Sequence, residues 1–419
     1  MASQSVPERP HALLVGLQLP KTNNADYETS LNELERLVET LGFQTVATVT
    51  QKKSSISPAT LIGAGKVEEI AELVKGPKEI SLAVFDHELT ASQLRNLKEA
   101  MGAEVLDRPA VILEIFSRHA HTKEARLQVE IARIKYLGPR ERARGRRERQ
   151  GGGPGEKGLG EAAHALGRRQ ARDRVSELQK ELEEIHQDQA NRRRRREGQP
   201  KVAIVGYTNA GKSSIMRALT SSEGLVADQL FATLDTTTRA LQPETDPRIL
   251  ISDTVGFIRN LPHDLVASFR STLDEALDAS LLLDVVDSSD PAFRSQLAVT
   301  REVLAGIGAE GLPSLLVLNK IDLLENSQQN ALIVEFPEAL LMSAFVPEDV
   351  HELRRKVIDF FILGLPEVEI LVPYTKQGVI AEIRRNVHVV REDYQEDGLH
   401  LRVKADPKML TALKKRIAA

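Results

Sequence analysis

Eight residues near the middle of the chain constrain its fold more than any other segment. Residues 206–213 read Gly-Tyr-Thr-Asn-Ala-Gly-Lys-Ser, which fills every fixed position of the phosphate-loop pattern G-x-x-x-x-G-K-[ST]. The apolar run at 201–205 is typical of a buried strand, and residues 214–219 are typical of a helix. The glycines allow backbone N–H groups to turn towards a phosphate chain, with Lys212 at the outer phosphates and the Ser213 hydroxyl at Mg²⁺. The sequence therefore predicts an α/β P-loop domain with a mostly parallel sheet.

Two later segments indicate that the base is guanine. Residues 319–322 (Asn-Lys-Ile-Asp) follow the apolar run 315–318, so they lie at the carboxyl end of a predicted strand. There Asp322 can accept two hydrogen bonds from the N–H groups of guanine, whereas adenine offers no such donor pair. Ser343 and Ala344, after another apolar run, supply the expected backbone contact to the base.

A third segment, residues 253–256 (Asp-Thr-Val-Gly), also follows a predicted strand. Asp253 can hold a water of Mg²⁺, and the N–H of Gly256 can reach the γ-phosphate. Many GTPases place a glutamine next, to orient the attacking water, but this chain has Phe257. Either another group completes the site or Phe257 is a packing residue, and both interpretations predict slow basal hydrolysis.

A switch segment is expected between the phosphate loop and Asp253. One threonine there should bind Mg²⁺ when the γ-phosphate is present. Spacing alone leaves four candidates, which are Thr233, Thr236, Thr237 and Thr238.

The order of these motifs is typical of the translation-factor-like GTPases, and further segments make the resemblance specific. They are 61–70 (LIGAGKVEEI), 84–89 (VFDHEL), 93–97 (QLRNL), 115–130 (IFSRHAHTKEARLQVE), 231–235 (FATLD) and 253–257 (DTVGF). Over residues 11–137 and 200–345 the chain resembles the HflX family of ribosome-associated GTPases. The resemblance implies that Thr233 is the Mg²⁺ ligand, that Phe257 is normal, and that the protein binds the large ribosomal subunit and splits stalled ribosomes.

Two departures from the family pattern accompany this resemblance. The family usually continues its glycine-rich stretch into Pro-Gly-Glu-Thr-Gln-Leu-Glu, whereas residues 154–161 read Pro-Gly-Glu-Lys-Gly-Leu-Gly-Glu. Thr236 also replaces the usual proline of the switch segment.

The predicted site combines these motifs. The residues expected to contact nucleotide are Gly206, Tyr207, Thr208, Asn209, Ala210, Gly211, Lys212, Ser213, Phe231, Ala232, Thr233, Leu234, Asp235, Asp253, Thr254, Val255, Gly256, Asn319, Lys320, Ile321, Asp322, Ser343, Ala344 and Phe345. Catalytic roles are expected for Lys212, Ser213, Thr233 and Gly256, and Mg²⁺ ligation for Ser213 and Thr233.

Composition excludes some classes of function. The chain of 419 residues has no cysteine, which rules out disulfides and thiol catalysis. No apolar stretch approaches the roughly 18 residues of a membrane span, and residues 1–10 lack a signal-peptide pattern. We expect a cytoplasmic monomer, with peripheral association to a membrane left open.

Charge is distributed unevenly along the chain. The net charge is −4, yet residues 131–200 hold 19 Lys+Arg against 11 Asp+Glu, a net charge of +8. This asymmetry predicts one basic surface suited to RNA on an otherwise acidic protein.

The motifs and apolar patterns predict four domains. They are an N-terminal α/β domain (1–108), an antiparallel helical hairpin (109–199), the GTPase domain (200–364) and a small α+β domain (365–419). The Gly-x-Gly-Lys segment at 63–66 precedes a helix in the first domain, and we interpret it as a structural turn rather than a second nucleotide site.

The hairpin is predicted from apolar stripes in two long helices, 109–137 and 168–196. Leu127, Ile131 and Ile134 should meet Val175, Leu178, Leu182 and Ile185. The tip, residues 138–167, carries Arg140, Arg142, Arg144, Arg146, Arg147 and Arg149, and its glycine-rich part 151–160 is expected to lack regular structure. An arginine-rich tip suits an RNA cavity, although an ordinary solvated loop is the alternative, also for the arginines 192–196.

The sequence thus predicts a Mg²⁺-dependent GTPase that binds the large ribosomal subunit and its RNA and dissociates stalled or idle ribosomes. The alternative is a GTP-switched ribosome-assembly or RNA-binding factor that splits no ribosome.

Overall fold

The chain divides into two compact units. The computed structural model describes residues 9–77, 79–140, 157–194, 199–221, 230–231, 237–245, 248–259, 275–363, 365–405 and 407–418. The first unit comprises Met1–Ala190 with Asp228–Asp235 and Ile258–Ser271, and the second comprises Asn191–Ala227, Thr236–Phe257 and Thr272–Ala419. No helix in the described ranges is long and apolar enough to cross a bilayer.

The first unit begins with a four-stranded sheet in which every pairing is parallel. Its strand order is β2-β1-β3-β4, and the strands alternate with helices as predicted for an α/β domain. The elements are β1 (His11–Gln18), α1 (Asn24–Thr40), β2 (Gln44–Lys52), α2 (Ala64–Val74), β3 (Ile80–Phe85), α3 (Ala91–Met101) and β4 (Glu104–Asp107).

One arginine ties the core of this unit together. Arg108 is 1% exposed. Its guanidinium donates to Asp86 Oδ1 at 2.7 Å and to Glu33 Oε2 at 2.9 Å. A buried charge is tolerated only when it is paired in this way.

The predicted helix 109–137 is wrong in one respect, because the chain forms two helices there. They are α4 (Arg108–His119) and α5 (Lys123–Tyr136). Ala120 is extended, with ψ 99°, and the Thr122 hydroxyl caps α5 by accepting from the N–H of Ala125 at 3.1 Å. A threonine in this position favours a new helix start over continuation.

The predicted contact between two apolar stripes is confirmed. Helix α6 (Lys157–Arg194) packs against α5 through a cluster made of Leu127, Ile131 and Leu178 with Ile134, Val175, Leu182 and Ile185. Lys123 pairs with Glu181 at 3.0 Å and Arg174 pairs with Glu130 at 3.0 Å. Early residues of α5 therefore meet late residues of α6, so the two helices run antiparallel.

Helix α6 also begins before the predicted residue 168. Residues 157–160 are helical although they include Gly158 and Gly160. Each glycine costs about 1 kcal/mol relative to alanine, but extending a long helix needs no new nucleus, which offsets that cost. The rest of the stretch expected to lack regular structure, 151–156, lies outside the described residues, as do residues 195–196 of the second basic run.

The second unit is built on a six-stranded sheet of order β10-β9-β8-β5-β7-β6. Only β6 runs antiparallel to its neighbour, so the predicted mostly parallel P-loop sheet is confirmed. The elements are β5 (Lys201–Gly206), α7 (Lys212–Thr220), β6 (Thr237–Ala240), β7 (Leu250–Asp253), β8 (Leu281–Asp287), α8 (Phe293–Ile307), β9 (Ser314–Asn319), α9 (Asn326–Glu335), β10 (Leu340–Leu341) and α10 (Pro347–Leu363).

A three-stranded antiparallel sheet of order β11-β13-β12 follows. Its elements are β11 (Glu367–Val372), α11 (Gln377–Asn386), β12 (His388–Gln395), β13 (Gly398–Lys404) and α12 (Pro407–Ala418). A hairpin at residues 395–398 connects β12 to β13, because Gln395 pairs with Gly398.

A buried carboxyl on β8 makes stability depend on pH. Asp284 is 6% exposed, and its Oδ1 has no hydrogen-bond partner. Burial raises the pKa of Asp284 to about 6, although attraction to Arg301 opposes this. Because the pKa of Asp284 is higher in the folded than in the unfolded protein, the neutral carboxyl contributes fully to the stability of the fold below about pH 4. Its contribution is lost as the pH rises through about 6.

We therefore expect Asp284→Asn to reduce the loss of stability between about pH 4 and pH 7. A shift of roughly two pKa units corresponds to about 3 kcal/mol, so the thermal midpoint of the variant should fall less than that of the wild type. Asp359→Asn, on α10, is the matched control for an exchange of aspartate to asparagine. Equal pH profiles for Asp284→Asn and the wild type would contradict the expectation.

Candidate functional site

The phosphate loop, residues 206–213, turns between β5 and α7 at positions that only glycine fits. Gly206 has φ 143°, and a Cβ there would lie 2.1 Å from the carbonyl oxygen of Val285. Gly211 has φ 94°, and a Cβ there would lie 2.1 Å from Asn319 Nδ2. Because positive φ and close approach both exclude a side chain, these two glycines fix the path of the loop.

Lys212 begins α7 with its side chain inside the loop. The residue is 6% exposed, and its Nζ donates to the carbonyl oxygen of Tyr207 at 2.7 Å. Burial lowers the pKa of Lys212 to about 8, while the charge of Asp253 opposes this. A phosphate chain beside Nζ would favour the charged form, so the site is suited to an anion.

A hydroxyl and a carboxylate meet at the start of α7. Ser213 Oγ donates to Asp253 Oδ2 at 2.9 Å, and Asp253 is the last residue of β7. Oxygen donors of this kind suit Mg²⁺, which binds one or two protein oxygens together with phosphate and water. Within the described ranges no cluster of three His, Cys, Asp or Glu could hold a metal by itself.

The segment after Asp253 lies against the phosphate loop. Thr254 is fully buried and its hydroxyl donates to the carbonyl oxygen of Ile204 at 2.8 Å, so it holds the segment on β5. A Cβ on Gly256 would lie 2.9 Å from Lys212 Nζ. Glycine at 256 therefore allows the segment to approach the lysine.

Phe257 is a packing residue in this structure. Its side chain is 3% exposed, and its backbone exchanges hydrogen bonds with the loop. The N–H of Phe257 donates to Gly206 at 3.1 Å, and its carbonyl oxygen accepts from Thr208 at 2.8 Å. The structure thus favours the packing interpretation of this position.

Asn319 connects the phosphate loop to the second base-binding segment. Its Nδ2 donates to the carbonyl oxygen of Ala210 at 2.9 Å. Its Oδ1 accepts from the N–H of Ala344 at 3.1 Å. With 2% exposure, Asn319 acts as a buried bridge between the elements predicted to hold phosphates and base.

Two residues that the sequence did not single out support the first base-binding segment. Asp287 Oδ2 forms an ion pair with Lys320 Nζ at 2.7 Å. The backbone of Lys320 is left-handed, with φ 65°. The hydroxyl of Ser288 donates to the carbonyl oxygen of Asn319 at 2.7 Å. Asp287 and Ser288 both lie at the carboxyl end of β8. Polar residues at the end of an apolar strand were therefore the signal in the sequence that could have identified them.

A third such residue is Asp349, in the first turn of α10. Its Oδ2 accepts from the N–H of Ser343 at 2.7 Å and so fixes the segment 343–345. Asp322 is exposed at the end of the same sheet edge, and Phe345 is 72% exposed. Both side chains are therefore accessible to a ligand.

The switch segment is described at its two ends, at residues 230–231 and from Thr237 onward, where the candidates Thr237 and Thr238 begin β6. Phe231 is 2% exposed and packs edge-on against Phe116, with ring centroids 4.7 Å apart, and both belong to the first unit. The predicted contacts Ala232, Thr233, Leu234 and Asp235 lie outside the described residues, as does the alternative Thr236. The assignment of the Mg²⁺ threonine stays a prediction.

The segment 63–66 has the contacts of a structural turn. The N–H of Gly63 donates to Gln51 Oε1 at 2.8 Å, and Lys66 Nζ pairs with Glu69 at 2.7 Å. Both the amide and the lysine are thus engaged within the first unit, which favours the interpretation as a turn.

Three family models match successive parts of the chain. "GTP-binding GTPase N-terminal" matches residues 28–117, "GTP-binding GTPase Middle Region" matches 119–196, and "50S ribosome-binding GTPase" matches 201–320. Together they cover β2 to β4 of the N-terminal sheet, the helical pair, and the phosphate-loop domain as far as Lys320.

Similar proteins align over most of the chain. "GTPase HflX" of Gluconacetobacter diazotrophicus is 50% identical over 453 aligned residues, covering 99% of this chain and all of the relative. "GTPase HflX" of Caldanaerobacter subterraneus is 37% identical and covers 94% of this chain and 91% of the relative. A solved GTP-binding protein from Sulfolobus solfataricus in complex with GDP is 26% identical, with a TM-score of 0.44, over 83% of this chain and 99% of that chain.

Proposed function

Since the chain belongs to the HflX family of GTPases, we propose that its GTP-bound form docks on the large ribosomal subunit and separates stalled or idle ribosomes into subunits. The chain is a GTPase, with a P-loop domain of the ribosome-binding class. Docking and splitting are the steps that the proposal adds.

The nucleotide roles follow from the positions of the side chains. Lys212 would neutralise the outer phosphates from its buried position, and Gly256 would donate its N–H to the γ-phosphate. Ser213 with Thr233 would hold Mg²⁺, and Asp253 would hold one of its waters. The ion would supply charge neutralisation at the phosphates. Asp322 would accept from the base, next to the segment 343–345.

Hydrolysis would be slow until the ribosome is bound. Phe257 offers no group to orient water, and its side chain is buried. Because no glutamine follows Gly256, we expect binding to the ribosome to order the groups that accelerate hydrolysis. Slow hydrolysis would keep the protein in its GTP-bound form long enough to find a ribosome.

The observation that carries the proposed partner is the basic segment on a helical pair. Residues 131–200 have a net charge of +8 within a chain of net charge −4. Helices α5 and α6 hold the two ends of this segment antiparallel through the Leu127–Leu178 cluster. A basic loop carried on a helical pair is suited to phosphate-lined cavities.

Sedimentation of 70S ribosomes through sucrose gradients tests the proposal. With GTP or a non-hydrolysable analogue, the protein should move 70S material into the subunit peaks and should itself run with the large subunit. GDP should do neither. Binding without loss of the 70S peak would instead favour the alternative, an assembly or RNA-binding factor.

The tip should carry subunit affinity but not nucleotide affinity. Replacing residues 141–156 by a short Gly-Ser turn removes Arg142, Arg144, Arg146, Arg147 and Arg149 while sparing Arg140 and the helical residues 157–160. Binding to large subunits should weaken, and the slope of log K against log salt should become shallower, by about 0.7–0.9 for each phosphate that is no longer neutralised. GTP affinity of the free protein should be unchanged. Unchanged cosedimentation across a salt series would mean that the tip is a solvated loop.

A further inference from the structure

Arg140, placed in the basic tip on sequence grounds, is committed to partners inside the first unit. Its side chain is 12% exposed. Both Nε and Nη2 donate to the carbonyl oxygen of Leu89, at 3.2 and 2.9 Å, and Nη1 donates to the carbonyl oxygen of Tyr136 at 2.7 Å. Nη2 also pairs with Glu88 Oε1 at 2.8 Å. The guanidinium therefore joins the end of α5 to the loop that follows β3.

An aromatic ring and a buried carboxylate complete this cluster. Arg140 Cζ lies 3.6 Å from the centre of the Tyr136 ring. The Tyr136 hydroxyl donates to Asp107 Oδ2 at 2.7 Å, and the same oxygen accepts from the N–H of Leu89 at 2.9 Å. Asp107 ends β4 and caps α4 through the N–H of Ala110. Burial and the charge of Asp107 raise the pKa of Tyr136, so the phenol remains a donor.

The geometry suits a clamp better than an RNA-binding role. Arginine presents several donors in a planar fork, and here that fork meets two carbonyl oxygens, a carboxylate and an aromatic face. A guanidinium engaged on all these sides has little left to offer a phosphate. The arginine-rich sequence 141–149 begins at the next residue, so the clamp lies directly before that sequence.

We propose that Arg140 is a positioning residue for subunit binding: it anchors the chain to the first unit directly before the arginine-rich sequence 141–149, and subunit binding depends on that anchor. The inference rests on the proposed function, since it concerns how the tip meets the large subunit. The cluster that carries it consists of Glu88, Leu89, Asp107, Tyr136 and Arg140.

The test compares full-length variants for binding to purified large subunits over a salt series with a non-hydrolysable GTP analogue. Arg140→Gln should weaken binding by about tenfold, as expected when a binding element is displaced from its productive position. The slope of log K against log salt should stay that of the wild type, because the number of neutralised phosphates is unchanged. Arg142→Gln is the matched control, two residues further along, and should make the slope shallower.

Two milder variants separate positioning from charge and from misfolding. Arg140→Lys keeps the charge but cannot reproduce the planar fork, so it should still weaken binding. Tyr136→Phe removes the donor to Asp107 while keeping the ring, and should give a smaller loss of affinity. GTP affinity and the circular dichroism spectrum should match the wild type in all of them.

Three results would overturn the inference while leaving the proposed function intact. Wild-type affinity for Arg140→Gln would show that the clamp has no role in docking. A slope made shallower by about 0.7–0.9 would show that Arg140 itself binds a phosphate. Full rescue by Arg140→Lys would show that charge alone matters. Failure of the wild type to bind subunits would refute the proposed function itself, and the inference with it.

Discussion

Lys212→Ala should abolish GTP hydrolysis and weaken GTP binding by roughly 30-fold to several thousand-fold, since losing one partner of a buried charged pair costs about 2–5 kcal/mol. The reason lies in the burial of the side chain, whose Nζ is held by the carbonyl oxygen of Tyr207 at 2.7 Å. Titration of the free protein with a fluorescent GTP analogue, and single-turnover hydrolysis, measure the two effects.

Lys66→Ala is the matched control for this prediction. It also removes a lysine that follows glycine at a helix start, but one whose ammonium pairs with Glu69 at 2.7 Å. Its GTP affinity should equal that of the wild type. Comparable losses from both variants would mean that the phosphate loop is not the principal nucleotide site.

Asp322→Asn should lower GTP affinity at least about tenfold and create affinity for xanthosine triphosphate, because the amide can donate where the carboxylate accepted. Asp322 is exposed at the sheet edge, so the change should leave the fold intact. Competition of GTP, XTP and ATP against a fluorescent analogue measures the exchange of specificity.

Asp359→Asn is the control here, since it removes the same charge from the GTPase domain on α10. It should leave the preference for GTP unchanged. If the wild type itself binds ATP as well as GTP, guanine recognition by Asp322 is ruled out.

Most of the fold could be predicted from the sequence because its apolar patterns are regular. The strand predicted at 201–205 appears as β5, and the helix predicted at 214–219 lies within α7. The phosphate-loop and base motifs were also recognisable, because their geometry demands particular residues at fixed spacing. Gly206 and Gly211 illustrate this, since a Cβ would collide at either position.

Other features could not be predicted because they depend on interactions between distant residues. The break between α4 and α5 follows from a single threonine cap, which competes with an otherwise continuous helical pattern. The density of arginines places Arg140 in an RNA-binding tip, but it cannot show which of these arginines contacts the first unit instead. In the structure Arg140 donates to the carbonyl oxygen of Leu89. Asp287 and Asp349 contact the two segments predicted to bind the base. Neither residue belongs to a motif with fixed spacing from those segments.

The bridge made by Asn319 has a practical consequence for altering this protein. Its amide holds the carbonyl oxygen of Ala210 and the N–H of Ala344 at once, so any exchange there disturbs two walls of the cleft. Within the described residues, the Asp322 side chain makes no such pair of contacts. A chemical-genetic form of the enzyme, answering to an added xanthine nucleotide in place of the cellular GTP pool, should therefore be engineered at Asp322, with Asn319 left untouched.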